Sequence, residues 1–305
     1  MKDSKRFQSR FLDPQILARI SSLKLVAKAV VEGLLAGSRR SPFRGYSAEF
    51  ADHRPYNPGD DVRYVDWRVY ARTDRYYVKR FEEETDFNCY FLLDASGSMA
   101  YKPGALSKLD YAKFLAASLA YLMTIQRDRI ALLSISDRIK KVLPPGGGHH
   151  HLQSFLNQLE SATAEGETGL KGALARVAEN PGRRGLVVVI SDLYDDAEDV
   201  ARSLVRFRRV GHEVIVFHLI DATETRLEFD GQVEFEDLET GARVSLDTAR
   251  ARPGYTRRLE EMLSFYEREL SREGIDFVRL DTSLPLDTAL LAYLRKRQSQ
   301  RGWNR

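Results

Sequence analysis

The chain has 305 residues, 43% hydrophobic and 30% charged, which reads as a globular protein long enough for one large or two modest domains. Its 47 Lys and Arg nearly cancel its 44 Asp and Glu, and the formal charge of +3 is too small and too evenly spread to argue for nucleic acid. The single cysteine, Cys89, rules out an internal disulfide framework and fits a reducing compartment.

No stretch approaches the roughly 18 to 20 apolar residues of a membrane helix. The charged N-terminus is followed by no apolar signal core. The expected location is therefore the cytoplasm, without stable membrane insertion.

Residues 1–86 read as an N-terminal helix and a turn-rich β region. Ile16, Leu17, Ile20, Leu23, Val26, Val30 and Leu34 recur at helical spacing, predicting a docking helix over 14–36 that starts at Asp13-Pro14. Pro42, Pro55, Pro58 and Gly59 punctuate a loop-rich stretch. Charges alternating with aromatics and valines over 60–73 predict short strands or a tight turn-rich subdomain, its Asp and Arg residues pairing with one another. A further strand is expected over 76–81.

From Phe87 the pattern becomes a strand–helix alternation. The run Phe87 to Leu93 predicts a buried strand, with Cys89 as a small core residue. A helix over 109–126 follows. Strands over 129–136 and 138–143 are separated only by Asp137, so the second is expected to run antiparallel. Pro144 to Gly148 reads as a breaker before a helix to Leu159. A helix over 170–179, a buried strand over 185–190, a helix over 195–209 and a strand over 213–219 continue the rhythm. Residues 221–250, with Asp230-Gly231 and Thr240-Gly241 turn signals, read as a small hairpin insertion. A helix over 257–273, a strand over 275–280 and a helix over 286–297 precede a basic tail, 298–305. The alternation over 87–297 predicts a doubly wound, mostly parallel open sheet with helices on both faces.

Ligands in such sheets bind beyond the carboxyl ends of the strands. There the sequence places Asp94, Ser96 and Ser98 after one strand, Asp192 after another, and Thr168 in a Gly-flanked loop between them. Only oxygen donors are offered, which favours Mg²⁺, with Mn²⁺ or Ca²⁺ as alternatives, over Zn²⁺. His149, His150 and His151 do not make a second site, since adjacent helical residues face different ways. Gly146-Gly147-Gly148 lacks the Lys-Ser/Thr of a nucleotide loop.

Asp94-Ala95-Ser96-Gly97-Ser98, with Thr168 and the strand-end Asp192, resembles the metal-ion-dependent adhesion site of the von Willebrand factor type A domain, a Rossmann-like fold. The resemblance implies direct coordination by Ser96, Ser98 and Thr168, with Asp94 and Asp192 acting directly or through water. A second resemblance lies ahead of it: Arg44-Gly45-Tyr46-Ser47-Ala48-Glu49-Phe50, Arg54 to Arg63, Asp66-Trp67-Arg68-Val69-Tyr70-Ala71-Arg72 and Lys79-Arg80-Phe81-Glu82-Glu83 are similar to the prokaryotic family called domain of unknown function fifty-eight. That family is associated with MoxR-type AAA+ ATPases, which implies an adaptor whose partners are such an ATPase, a client protein, or both.

Two functions compete for the same cation. A docking module uses it to capture an acidic residue of a partner. A metal-dependent hydrolase uses it to activate water for phosphoester cleavage. The second needs a general base or more carboxylates beside the ion, and no Gly-x-Ser-x-Gly frame or Ser-His-Asp set appears. The docking module, a non-enzyme, is the expected function.

Overall fold

The computed structural model describes residues 22–37, 53–56, 67–79, 87–179, 182–227, 229 and 231–286. The chain divides into two compact units, residues 40–86 and the remainder. Helix α1 (Leu23–Gly37) belongs to the larger unit. Leu23, Val26, Ala27, Val30 and Val31 are buried along one face, as the expected docking helix requires. Residues 14–21 of that expected helix lie outside the described residues.

The small unit contains β1 (His53–Pro55), antiparallel to β2 (Tyr77–Lys79), and α2 (Trp67–Thr73). The expected strands or turns over 60–73 are corrected in their second half to this helix. The alternation of aromatics and valines obscured an i, i+3 pair: Trp67 and Tyr70 meet edge-on at 6.1 Å, and Tyr70 stacks on Tyr76 at 4.5 Å. Most of the motif carrying the second resemblance, residues 40–52, 57–66 and 80–86, lies outside the described residues, as does Arg68's side chain.

The larger unit then runs β3 (Asn88–Asp94), a 3₁₀ turn (Gly97–Ala100), α3 (Lys108–Ile125), β4 (Arg129–Ile135), β5 (Ile139–Gly146), α4 (Gly148–Glu160), α5 (Leu170–Glu179), β6 (Gly185–Ser191), α6 (Ala197–Arg209) and β7 (Glu213–Ile220). It ends with α7 (Ala222–Arg226), β8 (Gln232–Glu236), β9 (Arg243–Asp247), α8 (Thr248–Arg272) and β10 (Asp276–Asp281). The six-stranded sheet has the order β10-β7-β6-β3-β4-β5. Counted from β3, that is the 3-2-1-4-5-6 order of a doubly wound nucleotide-binding sheet, with β5 antiparallel at its edge.

Every residue of β3 and β6 is buried, as the apolar runs Cys89–Leu93 and Leu186–Ile190 demand of strands covered on both faces. Tyr90 and Leu92 pack with α5, α6 and α8 through Leu174, Leu204, Phe207 and Tyr266. On the opposite face, Phe91 meets Phe155 of α4 edge-on at 5.2 Å. Helix α3 lies on that face too, in contact with β3, β4, β6 and β7 and flanked by α1 and α4. It is apolar around most of its circumference, so the sheet alone could not cover it.

Two element ends differ from the sequence pattern for physical reasons. β5 runs on through Pro144 and Pro145, which an edge strand tolerates because its outer amides have no partner strand. Helix α8 starts at Thr248 rather than Arg257 and carries Pro253 inside it. Asp247 caps it by accepting from the Ala249 amide at 3.0 Å, and Thr248 and Arg252 donate to the Phe229 carbonyl at 2.7 and 3.0 Å. Tertiary anchoring here overrides the cost of Pro in a helix. The hairpin insertion is present as β8–β9, turning from Asp237 to Ala242 over the expected Thr240-Gly241 signal, and the segment before it includes α7. The helix expected over 286–297 and the basic tail lie outside the described residues, apart from Leu286.

Helix α3 begins with a reciprocal cap: the Asp110 amide donates to Ser107 Oγ at 3.0 Å and the Ser107 amide to Asp110 Oδ2 at 3.1 Å. Ser107→Ala is expected to cost about 1 kcal/mol, read as a lowered urea midpoint at unchanged m-value.

Candidate metal centre

Strands β3 and β6 are parallel neighbours whose connections leave in opposite directions, so their carboxyl ends flank the sheet's switch point. Asp94 closes β3 there. Its Oδ1 accepts the Ser96 amide at 3.0 Å and its Oδ2 accepts the Ser191 hydroxyl, so one buried carboxylate turns the following loop and ties it to β6. The loop is then bonded through its backbone. Ala95 donates to Ile135 O at 2.6 Å, Glu165 to Ala95 O at 3.0 Å, and Gly97 to Gly166 O at 2.8 Å. Ser96 and Ser98 share a hydrogen bond at 3.1 Å between their hydroxyls.

Thr168 reaches the same place by way of the hairpin. Its amide donates to Glu239 Oε2 at 2.8 Å and its hydroxyl donates to Glu239 Oε1. The backbone at Leu238 and Glu239 in turn lies directly against Gly97. A Cβ there would sit 2.5 Å from the Leu238 carbonyl oxygen, which is why this position holds glycine. The two loops expected to carry the oxygen donors therefore converge, with a third acid between them.

Asp192 is also buried. Its Oδ2 accepts from Lys108 Nζ at 2.7 Å, and both side chains are 1% exposed. Lys108 also donates to Glu224 Oε1 at 2.8 Å and lies over the Tyr194 ring at 4.8 Å. Burial pulls the Lys108 ammonium down, but the Asp192 and Glu224 carboxylates outweigh it and the net shift is upward. His218 sits opposite Ser191 across the sheet and donates Nε2–H to the Asp192 carbonyl at 3.1 Å. Burial pushes this imidazole down to about 4, so it is neutral and fixes the strand end rather than carrying charge. Burial, with the Asp192 charge next, pushes Asp94 up to about 6.

Does this set suit a hard divalent cation? Among the described residues, no three acid, His or Cys side chains converge closely enough to hold an ion. A cation here depends on the hydroxyls. Two observations fit it. The 3.1 Å between Ser96 Oγ and Ser98 Oγ is close to the ~3.0 Å separating adjacent ligands of an octahedral Mg²⁺ with ~2.1 Å bonds. Asp192 Oδ1 is buried without any hydrogen-bond partner, a cost that an ion or its water would offset. Bound there, the cation would supply an electrophilic position for one further oxygen.

All five expected residues thus belong to one neighbourhood: Asp94, Ser96, Ser98 and Asp192 at the switch point and Thr168 beside them through Glu239. Lys108, Ser191, His218, Glu224 and Glu239 escaped the sequence reading. Lys108 carried a weak signal, as a cation at the first position of a largely apolar helix. Glu239 carried none, because its role depends on where a hairpin insertion folds back.

The architecture and the site define a doubly wound α/β domain with an oxygen-donor cluster at its switch point. The chain belongs to the family described as "Protein of unknown function DUF58", which it matches over residues 52–262. It is 27% identical over 243 residues to "Uncharacterized protein Rv1480" of Mycobacterium tuberculosis and equally to "Uncharacterized protein Mb1516" of Mycobacterium bovis, covering 78% of this chain and 76% of each relative. Similar solved structures include a conserved hypothetical protein, BatB, from Bacteroides thetaiotaomicron (17% identity, TM-score 0.46, 70% of this chain and 99% of that one). Others are an aerotolerance-related membrane protein from Bacteroides fragilis (20%, 0.48, 69% and 99%) and the SpRpn10 VWA domain (14%, 0.41, 67% and 93%). Among the described residues no helix is long and apolar enough to cross a membrane.

Two measurements probe the site's charges. Lys108→Met leaves Asp192 and Glu224 without their shared cation and is expected to destabilise by about 3–5 kcal/mol in chelated protein, with a smaller loss in saturating Mg²⁺. For Asp94 the folded value, about 6, lies above the ordinary 3.8. The native state therefore binds the proton more tightly, and ionisation costs stability that is lost in full above the folded value and restored as pH falls towards the unfolded one. Metal-free Asp94→Asn is expected to be more stable than wild type at pH 7.5. The gap should shrink as pH drops through 6 towards 4 in parallel urea titrations.

Proposed function

We propose that the chain is a metal-dependent protein-interaction module, not an enzyme, acting in the cytoplasm with a MoxR-type AAA+ ATPase, a client protein, or both, in assembling or activating protein complexes. Ser96, Ser98 and Thr168 would hold Mg²⁺ directly. Asp94 would set the loop and Asp192 would offer its free oxygen. An acidic residue of the partner would complete the coordination. The observation that carries this reading is the buried, unpartnered Asp192 Oδ1 at the end of β6, with paired serine hydroxyls just beyond the end of its neighbour β3.

The chain's other polar groups favour attachment over catalysis. A general base must be unprotonated and in reach of the attacking water. Lys108 is held protonated between two carboxylates, and His218 directs Nε2–H to the Asp192 backbone. Asp94 has both oxygens engaged.

The test is capture of the MoxR-type ATPase by immobilised full-length chain. Retention in Mg²⁺, with loss in EDTA and in Ser96→Ala, is the expected result. Retention indifferent to both would sink the metal-docking reading.

A further inference from the structure

The β8–β9 hairpin is not explained by the sheet. Among the described residues its strands pair only with each other, from Gln232↔Asp247 to Glu236↔Arg243, and most of their residues are exposed. A lone two-stranded ribbon of this kind has little stability of its own. Its tip is nevertheless sharply built. Asp237 accepts the Glu239 amide at 2.9 Å and the Thr240 hydroxyl at 2.7 Å, its carbonyl accepts the Gly241 amide at 2.8 Å, and Gly241 takes φ +71°. The tip's outward contacts go to one place. Its backbone presses on Gly97, between Ser96 and Ser98, and its Glu239 carboxylate takes both the amide and the hydroxyl of Thr168.

Thr168 Oγ1 is therefore already spoken for by an acid of the same chain. We propose that Glu239 is a tethered stand-in for the partner's acid: the hairpin delivers a carboxylate to the cation position, and a partner must displace it with a carboxylate of its own. This rests on the reading of Ser96, Ser98 and Thr168 as cation ligands and adds two things to it. The partner class is a protein presenting Asp or Glu at the tip of a tight turn, because the backbone carrying Glu239 lies within van der Waals contact of Gly97 and a bulkier element would not fit there. The hairpin is also a lock on the site, since one coordination position of the cation cannot hold two carboxylates at once.

The experiment is a calorimetric Mn²⁺ titration of full-length wild type, Glu239→Ala, Glu239→Gln and Ser96→Ala, with and without a large excess of acetate. Removing one carboxylate ligand should weaken Mn²⁺ by about 10- to 100-fold in both Glu239 variants. Gln keeps the length and an oxygen for Thr168, so its loss tracks the charge and not the seating of the hairpin. Acetate should restore affinity in Glu239→Ala, whose carboxylate position is vacant, and leave wild type unchanged. If wild type and Glu239→Ala bind Mn²⁺ equally and acetate affects neither, while Ser96→Ala abolishes binding, Glu239 is only a capping acid for α5. The inference then fails and the metal reading stands. If wild type binds no Mn²⁺, the metal reading itself fails and takes the inference with it.

Discussion

The carboxylate of Asp94 accepts the Ser96 amide with one oxygen and the Ser191 hydroxyl with the other, at the carboxyl end of a central strand where it has almost no contact with solvent. Much of the site's geometry depends on that double engagement. The first bond sets the turn that brings Ser96 and Ser98 together. The second fastens that turn to the end of β6, which carries Asp192. A buried carboxylate is costly unless its lone pairs are met, and here they are met by the two groups that define the loop. The price is visible in Asp94 itself, whose burial holds its titration near neutrality instead of in the usual acidic range.

Electrostatics then constrain what surrounds it. Asp192 is buried close enough to raise Asp94 further, so a second acid could be accommodated only with a neighbouring cation. Lys108 is that cation, delivered by the first turn of α3, whose Ser107–Asp110 cap fixes where the helix begins. The ammonium is shared with Glu224, which is itself locked into the cap of α7 by accepting the Asp221 amide at 2.9 Å. One side of Asp192 is thus neutralised within the chain. The other oxygen has no partner. This asymmetry, one acid fully satisfied and its neighbour half satisfied, leaves Asp192 rather than Asp94 as the acid with an oxygen free for a further ligand.

The fold was largely legible because it is written in periodicity. Apolar runs at Cys89–Leu93 and Gly185–Ile190 read as strands covered on both sides, and the few residues between β4 and β5 left no room for a crossover. The reading failed where tertiary contacts overruled local pattern. Trp67 and Tyr70 pair across a helical turn inside a strand-like alternation, and Thr248 and Arg252 anchor the start of a helix just ahead of Pro253. The placement of the five candidate residues was legible because four lie at or just beyond strand ends and the fifth in a glycine-flanked loop, where topology decides their neighbours. Lys108, Glu224 and Glu239 were not, since each enters from an element whose docking is set by the assembled fold and not by its own spacing.

The same distinction separates the scaffold of the site from its control. Asp94, Ser96, Ser98 and Asp192 sit on the rigid central strands or within a few residues of them, welded by backbone bonds from Ala95, Glu165 and Gly97. Glu239 sits on a two-stranded ribbon with few apolar contacts, held at its tip by Thr168 and by close packing on Gly97. Local opening is least costly where apolar burial is least. A carboxylate carried on such a ribbon can leave without disturbing the sheet, whereas one carried on β3 or β6 could not. Under the proposed function, an insertion that reaches back to the switch point would join a fixed receptor for an acid to a removable acid of its own.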